Sequence, residues 1–274
     1  MSESQNILLV GCGKMGSAML RGWLSRGVAP ENIRIIEPFT DAAAELRQEL
    51  SVTVLDDVAA VEPGFAPGIV VFAVKPQGMD DIIPSYTGFA AKGAVSLSIA
   101  AGRTISYFEA HLGEGAAIVR TMPNTPAAVG RGITAACAND HVSDAQRTAC
   151  EVLLEAVGDV VWVDSEEMID AVTAVSGSGP AYIFLMIECM AKAGCVQGLP
   201  TDIAAKLARA TVAGAGELAR QSGEAASILR RNVTSPHGTT AAALDVLMAD
   251  ETGLQQLMDR AIDAATRRSR ELGG

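Results

Sequence analysis

The residues of this sequence with the types and spacing for chemistry are gathered in a few short runs rich in glycine, proline and threonine. The first is Gly11-Cys12-Gly13-Lys14-Met15-Gly16, a G-x-G-x-x-G that follows the apolar run Ile7–Val10 and opens a helical pattern. That spacing suits a diphosphate. The first glycine permits a tight turn, the second lets backbone approach the anion, and the third lets helix pack on strand. Glu37 follows 21 residues after Gly16, at the end of a second apolar run. A carboxylate there accepts from ribose hydroxyls and repels a 2′-phosphate. No arginine stands immediately beside it, so the pattern leans to NADH over NADPH. Cys12 sits where a helix N-terminus favours a thiolate, although a small residue in a turn is the simpler reading.

Four further runs could meet a ligand, and each has a plainer alternative. Ala73-Val74-Lys75-Pro76 closes the fourth apolar run and puts Lys75 at the carboxyl edge of the sheet, where ligands bind in doubly wound folds; a solvated lysine fits equally. Arg120-Thr121-Met122-Pro123-Asn124-Thr125-Pro126 follows the sixth run. The Asn124 amide could meet a nicotinamide carboxamide or ribose, or the segment is a rigid connector. Ser176-Gly177-Ser178-Gly179 precedes a helix expected from Pro180, as an anion nest or an ordinary cap. Thr234-Ser235-Pro236-His237-Gly238-Thr239-Thr240 presents hydroxyls and backbone N–H groups at a positive helix end, which suits a small carboxylate. Plain capping by Ser235 or Thr239 is the alternative there. His237 has a side chain suited to acid–base work, but surface histidines of this kind are usually bystanders. His111 and His141 read as structural or solvated.

The elements that must hold these runs fall into two parts. Ile7–Val10, Ile33–Ile36, Val52–Leu55, Ile69–Val74, Ala94–Ile99 and Ala116–Val119 read as buried strands, with Gly132–Ala138 and Val160–Val163 after them. Helical patterns at Met15–Arg26, Asp41–Leu50 (capped by Thr40 or Asp41) and Asp144–Val157 alternate with them, which implies a parallel α/β sheet, doubly wound. After Asp164 only helices are expected, at Glu166–Val175, Pro180–Cys195, Thr201–Gln221, Ala225–Arg231, Thr239–Ala249 and Gly253–Glu271. Residues 1–164 are thus a dinucleotide-binding domain and 165–274 an all-α, alanine-rich domain. The second is apolar on more than one helix face, which suits a homodimer interface.

Composition narrows the classes. Twenty-one Lys and Arg against 32 Asp and Glu give a formal net charge of −11. Clustered positive charge is confined to Arg267, Arg268 and Arg270, which argues against nucleic acid or an anionic membrane as partner. No apolar run reaches the length of a membrane span, the longest candidate being Ala181–Ala191 with Glu188 inside it. The N-terminal stretch lacks a signal peptide's positive region. Five scattered cysteines without a C-x-x-C pair point to a reduced, cytoplasmic chain with no metal site.

Together the runs resemble pyrroline-5-carboxylate reductase, the last enzyme of proline biosynthesis. The similar stretches are GCGKMG at 11–16, FAVKPQ at 72–77, RTMPNTPA at 120–127, IDAVTAVSGSGPAYIF at 169–184 and NVTSPHGTTAAALDVL at 232–247. The resemblance implies an N-terminal dinucleotide domain and a helical C-terminal dimerisation domain intertwined with a partner subunit. The active site would lie between them, and a larger ring of dimers is compatible. It implies that Gly11–Gly16 hold the pyrophosphate, that Val74, Lys75 and Pro76 hold the nicotinamide half, and that Asn232 and Glu166 lie at the cofactor edge. Ser235, Gly238, Thr239 and Thr240 would receive the substrate carboxylate, with Thr240 near the ring nitrogen as the catalytic group. Two positions depart from the family. His237 stands where glycine or asparagine is common, and Asp57 stands where some members have an asparagine near the adenosine ribose. NADH or NADPH would reduce the C=N bond.

Two rivals remain at this level. One is another two-domain NAD(P)-dependent enzyme, either an imine reductase or a dehydrogenase of the 2-hydroxyacid or β-hydroxyacid type, and the dehydrogenase would need a lysine or histidine on the helical part to take an alcohol proton. Between Glu166 and Arg231 only the mid-helix Lys192 and Lys206 occur, and no histidine. A nucleotide-binding regulator without turnover would have no reason to keep a carboxylate cradle.

Overall fold

The computed structural model describes residues 5–273, and its contacts divide into two compact units. One comprises the residues up to 177 with those from 266 onward; the other is Ser178–Ala265. The first residues of the N-terminal stretch read above, and the Thr40 side chain, lie outside the described residues.

The first unit is built on β1 (Ile7–Val10), β2 (Ile33–Ile36), β3 (Thr53–Leu55), β4 (Ile69–Phe72), β5 (Val95–Ser98), β6 (Ile118–Met122), β7 (Gly132–Ala138) and β8 (Gly158–Trp162). Among the described residues they form one sheet in the order 3-2-1-4-5-6-7-8, parallel except where β7 turns back antiparallel to β6. The order of the first six strands is that of a doubly wound dinucleotide fold, with its switch point between β1 and β4. Strands covered on both faces must be apolar at every position. In β1, Ile7 and Leu9 enter the core beneath α1 (Lys14–Ser25) and α2 (Thr40–Leu50), while Leu8 and Val10 join Phe72, Tyr86 and Phe108 on the other face. The cap of α2 is Phe39 and carries no side-chain bond, so Asp41 occupies the first turn instead of capping it.

Two boundaries differ from the sequence reading in ways that matter to the site. β4 ends at Phe72, which leaves Ala73, Val74 and Lys75 as a rim loop. β6 begins at Ile118 and runs through Arg120 and Thr121 to Met122, so the first three residues of the expected loop are strand. Both polar residues are buried and bonded, Thr121 Oγ1 donating to the Ser98 carbonyl at 2.9 Å. The connections from β4 to β6 hold helices that the apolar pattern concealed. They are α3 (Met79–Ile82), α4 (Thr87–Ala90) and α5 (Ile105–Leu112), with 3₁₀ turns at Pro76–Gly78 and Ile83–Tyr86. On the opposite face α6 (Asp144–Glu155) packs beside α1, and Trp23 ties them, its Nε1–H donating to the Leu153 carbonyl at 2.9 Å.

The strands end at Trp162, close to the boundary read at Asp164, yet the first unit continues through α7 (Met168–Val172). Ile169 is buried against Met122, Ala135 and Cys137, which holds α7 to the sheet. A π-helical turn follows at Thr173–Gly177. Within the run Met168–Val196 a helix opens at Gly179, with Ser178 at its N-cap and Pro180 in its first turn, close to the start expected at Pro180; Ser178 makes no side-chain cap bond, so the ordinary cap is not seen there. This run also corrects the estimate of apolar length: its most apolar window has a mean hydropathy of 1.3 and is unburied within the chain, enough by length and composition for a membrane span.

The second unit contains α8 (Gly179–Val196), α9 (Thr201–Ser222), α10 (Ala226–Asn232), α11 (Thr239–Leu247) and the part of α12 (Leu254–Gly273) before Thr266. α8 and α9 pack through small residues; a Cβ at Gly194 would already lie 3.4 Å from that of Ala204. Only Ala204 and Ala208 of α9 are buried, while Ile183, Phe184 and Leu185 of α8 and Leu207 and Leu218 of α9 are exposed. Large apolar side chains exposed in this number on two packed helices suit a protein interface.

The α1–α6 tie gives a direct stability test. Trp23→Phe keeps most of the apolar volume but strands the buried Leu153 carbonyl, at a cost of about 1–3 kcal/mol, whereas Trp23→Ala costs about 3–5 kcal/mol. Urea denaturation of the two variants should show that order.

Candidate active site

The turn after β1 is shaped by close approach to the end of β4. Gly11 has φ +83° and donates to the Ile36 carbonyl at 2.9 Å; a Cβ on it would stand 2.6 Å from Val74 Cγ1. A Cβ at Gly16 would meet the Gly11 carbonyl oxygen at 2.7 Å. Gly13 is different: it is exposed, and a Cβ there would touch nothing. The first and third glycines therefore serve packing, and the open second position faces the space a diphosphate would need. α1 begins at Lys14 with no side-chain cap and no acidic residue in its first turn, so its orphan N–H groups and positive end suit that anion. Residues present in this turn fit a dinucleotide.

Glu37 closes the far side of the turn, buried at the end of β2. Its Oε2 accepts from the Cys12 N–H at 2.9 Å and its Oε1 from the Phe39 N–H at 3.3 Å. The carboxylate thus braces the glycine turn itself, a role the motif spacing did not reveal, and two oxygens retain lone pairs for ribose hydroxyls. Nearby cations face other carboxylates: Arg21 pairs with Glu49, Arg34 with Glu62 and Arg47 with Asp56. Asp57 caps its own turn by accepting from the Ala59 N–H at 2.7 Å. Burial, with Glu37 beside it, pushes the Cys12 thiol from 9.0 up to about 12 against a smaller opposing pull from Arg21. Cys12 is a neutral small residue here, and the thiolate suggested by the helix end does not form.

On the β4 side Lys75 is exposed and precedes the Pro76–Gly78 turn. The Pro76 carbonyl accepts from Arg103 Nε at 3.2 Å and Nη2 at 2.7 Å, a contact no motif pointed to. Arg120 is buried and donates to Glu166 Oε1 at 2.7 Å, and the same oxygen accepts from the Ile105 N–H at 2.7 Å. Glu166, assigned by resemblance to a cofactor edge, is here committed to a structural ion pair. Asn124 is likewise engaged: its Oδ1 accepts from the Ile133 N–H at 3.0 Å and its Nδ2 donates to the Ser176 carbonyl at 3.2 Å. These bonds favour the connector role over contact with nicotinamide, and they hold the π turn, a form frequent near functional sites.

In the second unit, Ser235-Pro236-His237-Gly238 is a turn closed by the Gly238 N–H on the Ser235 carbonyl at 3.1 Å. His237 adopts φ +59°, which explains why glycine or asparagine suits this position. A Cβ at Gly238 would fall 2.4 Å from Ser235 Oγ, so only glycine lets that hydroxyl fold over the helix start. α11 opens after Gly238 without a side-chain cap. The plain capping alternative for Ser235 and Thr239 is therefore absent, and the first-turn N–H groups remain beside Thr239 and the half-buried Thr240. Thr234 is spent on the Arg230 carbonyl at 2.6 Å, and Asn232 is exposed at the end of α10.

Comparison with known proteins accounts for both units. The family described as pyrroline-5-carboxylate reductase dimerisation matches residues 166–272, and that described as NADP oxidoreductase, coenzyme F420-dependent, matches residues 6–102. The pyrroline-5-carboxylate reductase of Pseudomonas aeruginosa is 39% identical over 270 residues, covering 98% of this chain and 97% of the relative. That of Synechocystis is 40% identical, covering 97% of each. Among solved structures, the Coxiella burnetii reductase superposes with a TM-score of 0.93 at 34% identity over 99% of this chain and all of the other. The Plasmodium falciparum reductase, solved with NADP bound, gives 0.81 at 27% identity over 99% of each.

The neutral thiols carry a pH signature. Cys150, fully buried in the core, is also pushed up to about 12. Unfolded thiols ionise near 9, so the stability these groups contribute is complete below pH 9 and is lost as pH rises towards 12. Denaturation midpoints measured from pH 8 to 11 should fall, and should fall less in Cys12→Ala.

Proposed function

The chain belongs to the pyrroline-5-carboxylate reductase family, and from that membership we propose the division of labour among its residues. It is an oxidoreductase that converts 1-pyrroline-5-carboxylate to L-proline at the expense of a reduced pyridine nucleotide. The single observation that carries the assignment of residues is the pairing, in one chain, of an open glycine turn at an uncapped helix start with an uncapped threonine-bearing helix start. The first suits a diphosphate and the second a small carboxylate.

In this reading Gly11 to Gly16 hold the diphosphate, with Lys14 adding positive charge, and Val74, Lys75 and Pro76 border the nicotinamide. When bound, the nicotinamide supplies a hydride to the imine carbon. Ser235, Gly238 and Thr239 fix the substrate carboxylate through hydroxyl and backbone donors. Thr240 orients the ring nitrogen and relays a proton to it; a substrate that enters as the iminium needs only the orientation. No strong acid or base is required, and positioning provides most of the rate. Residues 165–274 form the dimerisation domain in this division, and the exposed apolar faces of α8 and α9 are the surface a second copy covers. The free cysteines support a cytoplasmic location.

For the coenzyme we favour NADH over NADPH, on the buried carboxylate of Glu37 and on neighbouring arginines already paired with acids. The relative solved with NADP marks the opposing possibility for the family.

Two kinetic tests follow. Thr240→Ala should lower kcat by about tenfold or more, the size of a positioned proton-transfer group; an unchanged rate removes Thr240 from the chemistry. Glu37→Gln retains an acceptor for the Cys12 N–H but removes the charge. It should raise the NADPH-to-NADH ratio of kcat/KM by about tenfold, equivalent to ~1.4 kcal/mol.

A further inference from the structure

The rim loop after β4 is held by a group outside every motif. Arg103 reaches back from the loop after β5 and donates from two nitrogens to the Pro76 carbonyl. Its guanidinium is itself fixed on two sides. Asp80, on α3, accepts from Arg103 Nη2 at 3.1 Å, and the Tyr107 ring lies beneath the guanidinium at 4.4 Å. Tyr107 closes the circuit by donating its hydroxyl to the other Asp80 oxygen at 2.6 Å. The bond to Asp80 helps hold that carboxyl below its usual range, together with the Arg103 charge. The preceding residue is also packed: Gly102 (φ +74°) lies so close to the end of α12 that a Cβ would stand 2.7 Å from the Leu272 carbonyl oxygen. The arginine thus follows a backbone position that is itself closely packed.

We propose that Arg103 is a positioning residue for the nucleotide: gripping the Pro76 carbonyl, it sets the place of the Val74–Pro76 rim and so the affinity for the nicotinamide half. This rests on the reading of that rim given above. A carbonyl held by two donors of one planar guanidinium cannot swing independently of it, and the carboxylate and ring remove the guanidinium's own freedom. The arrangement acts on the nucleotide alone. Its bonds are all made within the first unit, to Pro76, Asp80 and Tyr107, so the expected change is in nucleotide affinity and not in the substrate's.

The test uses the whole protein with Arg103→Met, which keeps an unbranched apolar stem but no donor, and Tyr107→Phe, which removes only the bond to Asp80. Direct titration with NADH and with NADPH, followed by nicotinamide fluorescence, should show Kd raised about five- to tenfold in Arg103→Met and less in Tyr107→Phe. In steady state the nucleotide KM should rise to match, with kcat and the KM for pyrroline-5-carboxylate within about twofold. Hydrogen exchange without nucleotide should quicken at residues 77–80, not across the sheet. Unchanged nucleotide Kd in Arg103→Met overturns the proposal. So does a general rise in exchange with a fall in every kinetic parameter, which would make Arg103 merely structural. Should that variant fail to fold, Tyr107→Phe decides by the same readouts. A wild type that binds nucleotide but does not reduce the imine would instead count against the reaction, and the titrations would still judge Arg103.

Discussion

The structure of the first unit depends on one close approach, that of the turn after β1 to the end of β4. These strands are neighbours at the switch point, and their carboxyl ends converge where Gly11 meets Val74. Any side chain at Gly11 would collide there, and one at Gly16 would collide with the turn itself. From this follow the direction in which α1 leaves the sheet, the exposure of its N-terminal amides and the position from which Glu37 can brace Cys12. The open Gly13 has meaning only because its two companions are closed.

Much of this was legible in the residues. β1, β2 and β7 fall where their apolar runs placed them, because strands covered on both faces admit nothing else and are bounded by turn formers. The family membership was also legible, since its motifs span both halves in order. What was hidden has a common physical origin: polar residues whose partners are distant in sequence. Arg120 and Thr121 made β6 look shorter than it is, because burial of an arginine makes sense only once Glu166 is known to lie beside it. Asn124 looked free for a ligand until Ile133 and Ser176 came within reach. α5, with Tyr107, Glu109 and His111 among its apolar residues, offered too weak a stripe, and α3 and α4 are too short to show one.

The segment from Met168 shows both what local reading reaches and what it misses. Serine and glycine ordinarily signal a helix start, and Ser176–Gly179 has both. A helix does open there, α8 at Gly179, but Ser176 and Gly177 before it belong to a π turn, with the Ser176 carbonyl met by Asn124. The turn lies where a bond from a residue distant in sequence meets the chain, which no local preference announces. The same run is apolar enough to be taken for a membrane span, but its surface is explained by the dimerisation family that covers it.

Cys12 carries a consequence for life in an oxidising challenge. Peroxide attacks thiolates, and an exposed, ionised cysteine is the form that proceeds to a sulfenic acid. In this chain burial and the adjacent Glu37 carboxylate keep that sulfur protonated. The one cysteine of the glycine turn is therefore held in the form that oxidants attack least.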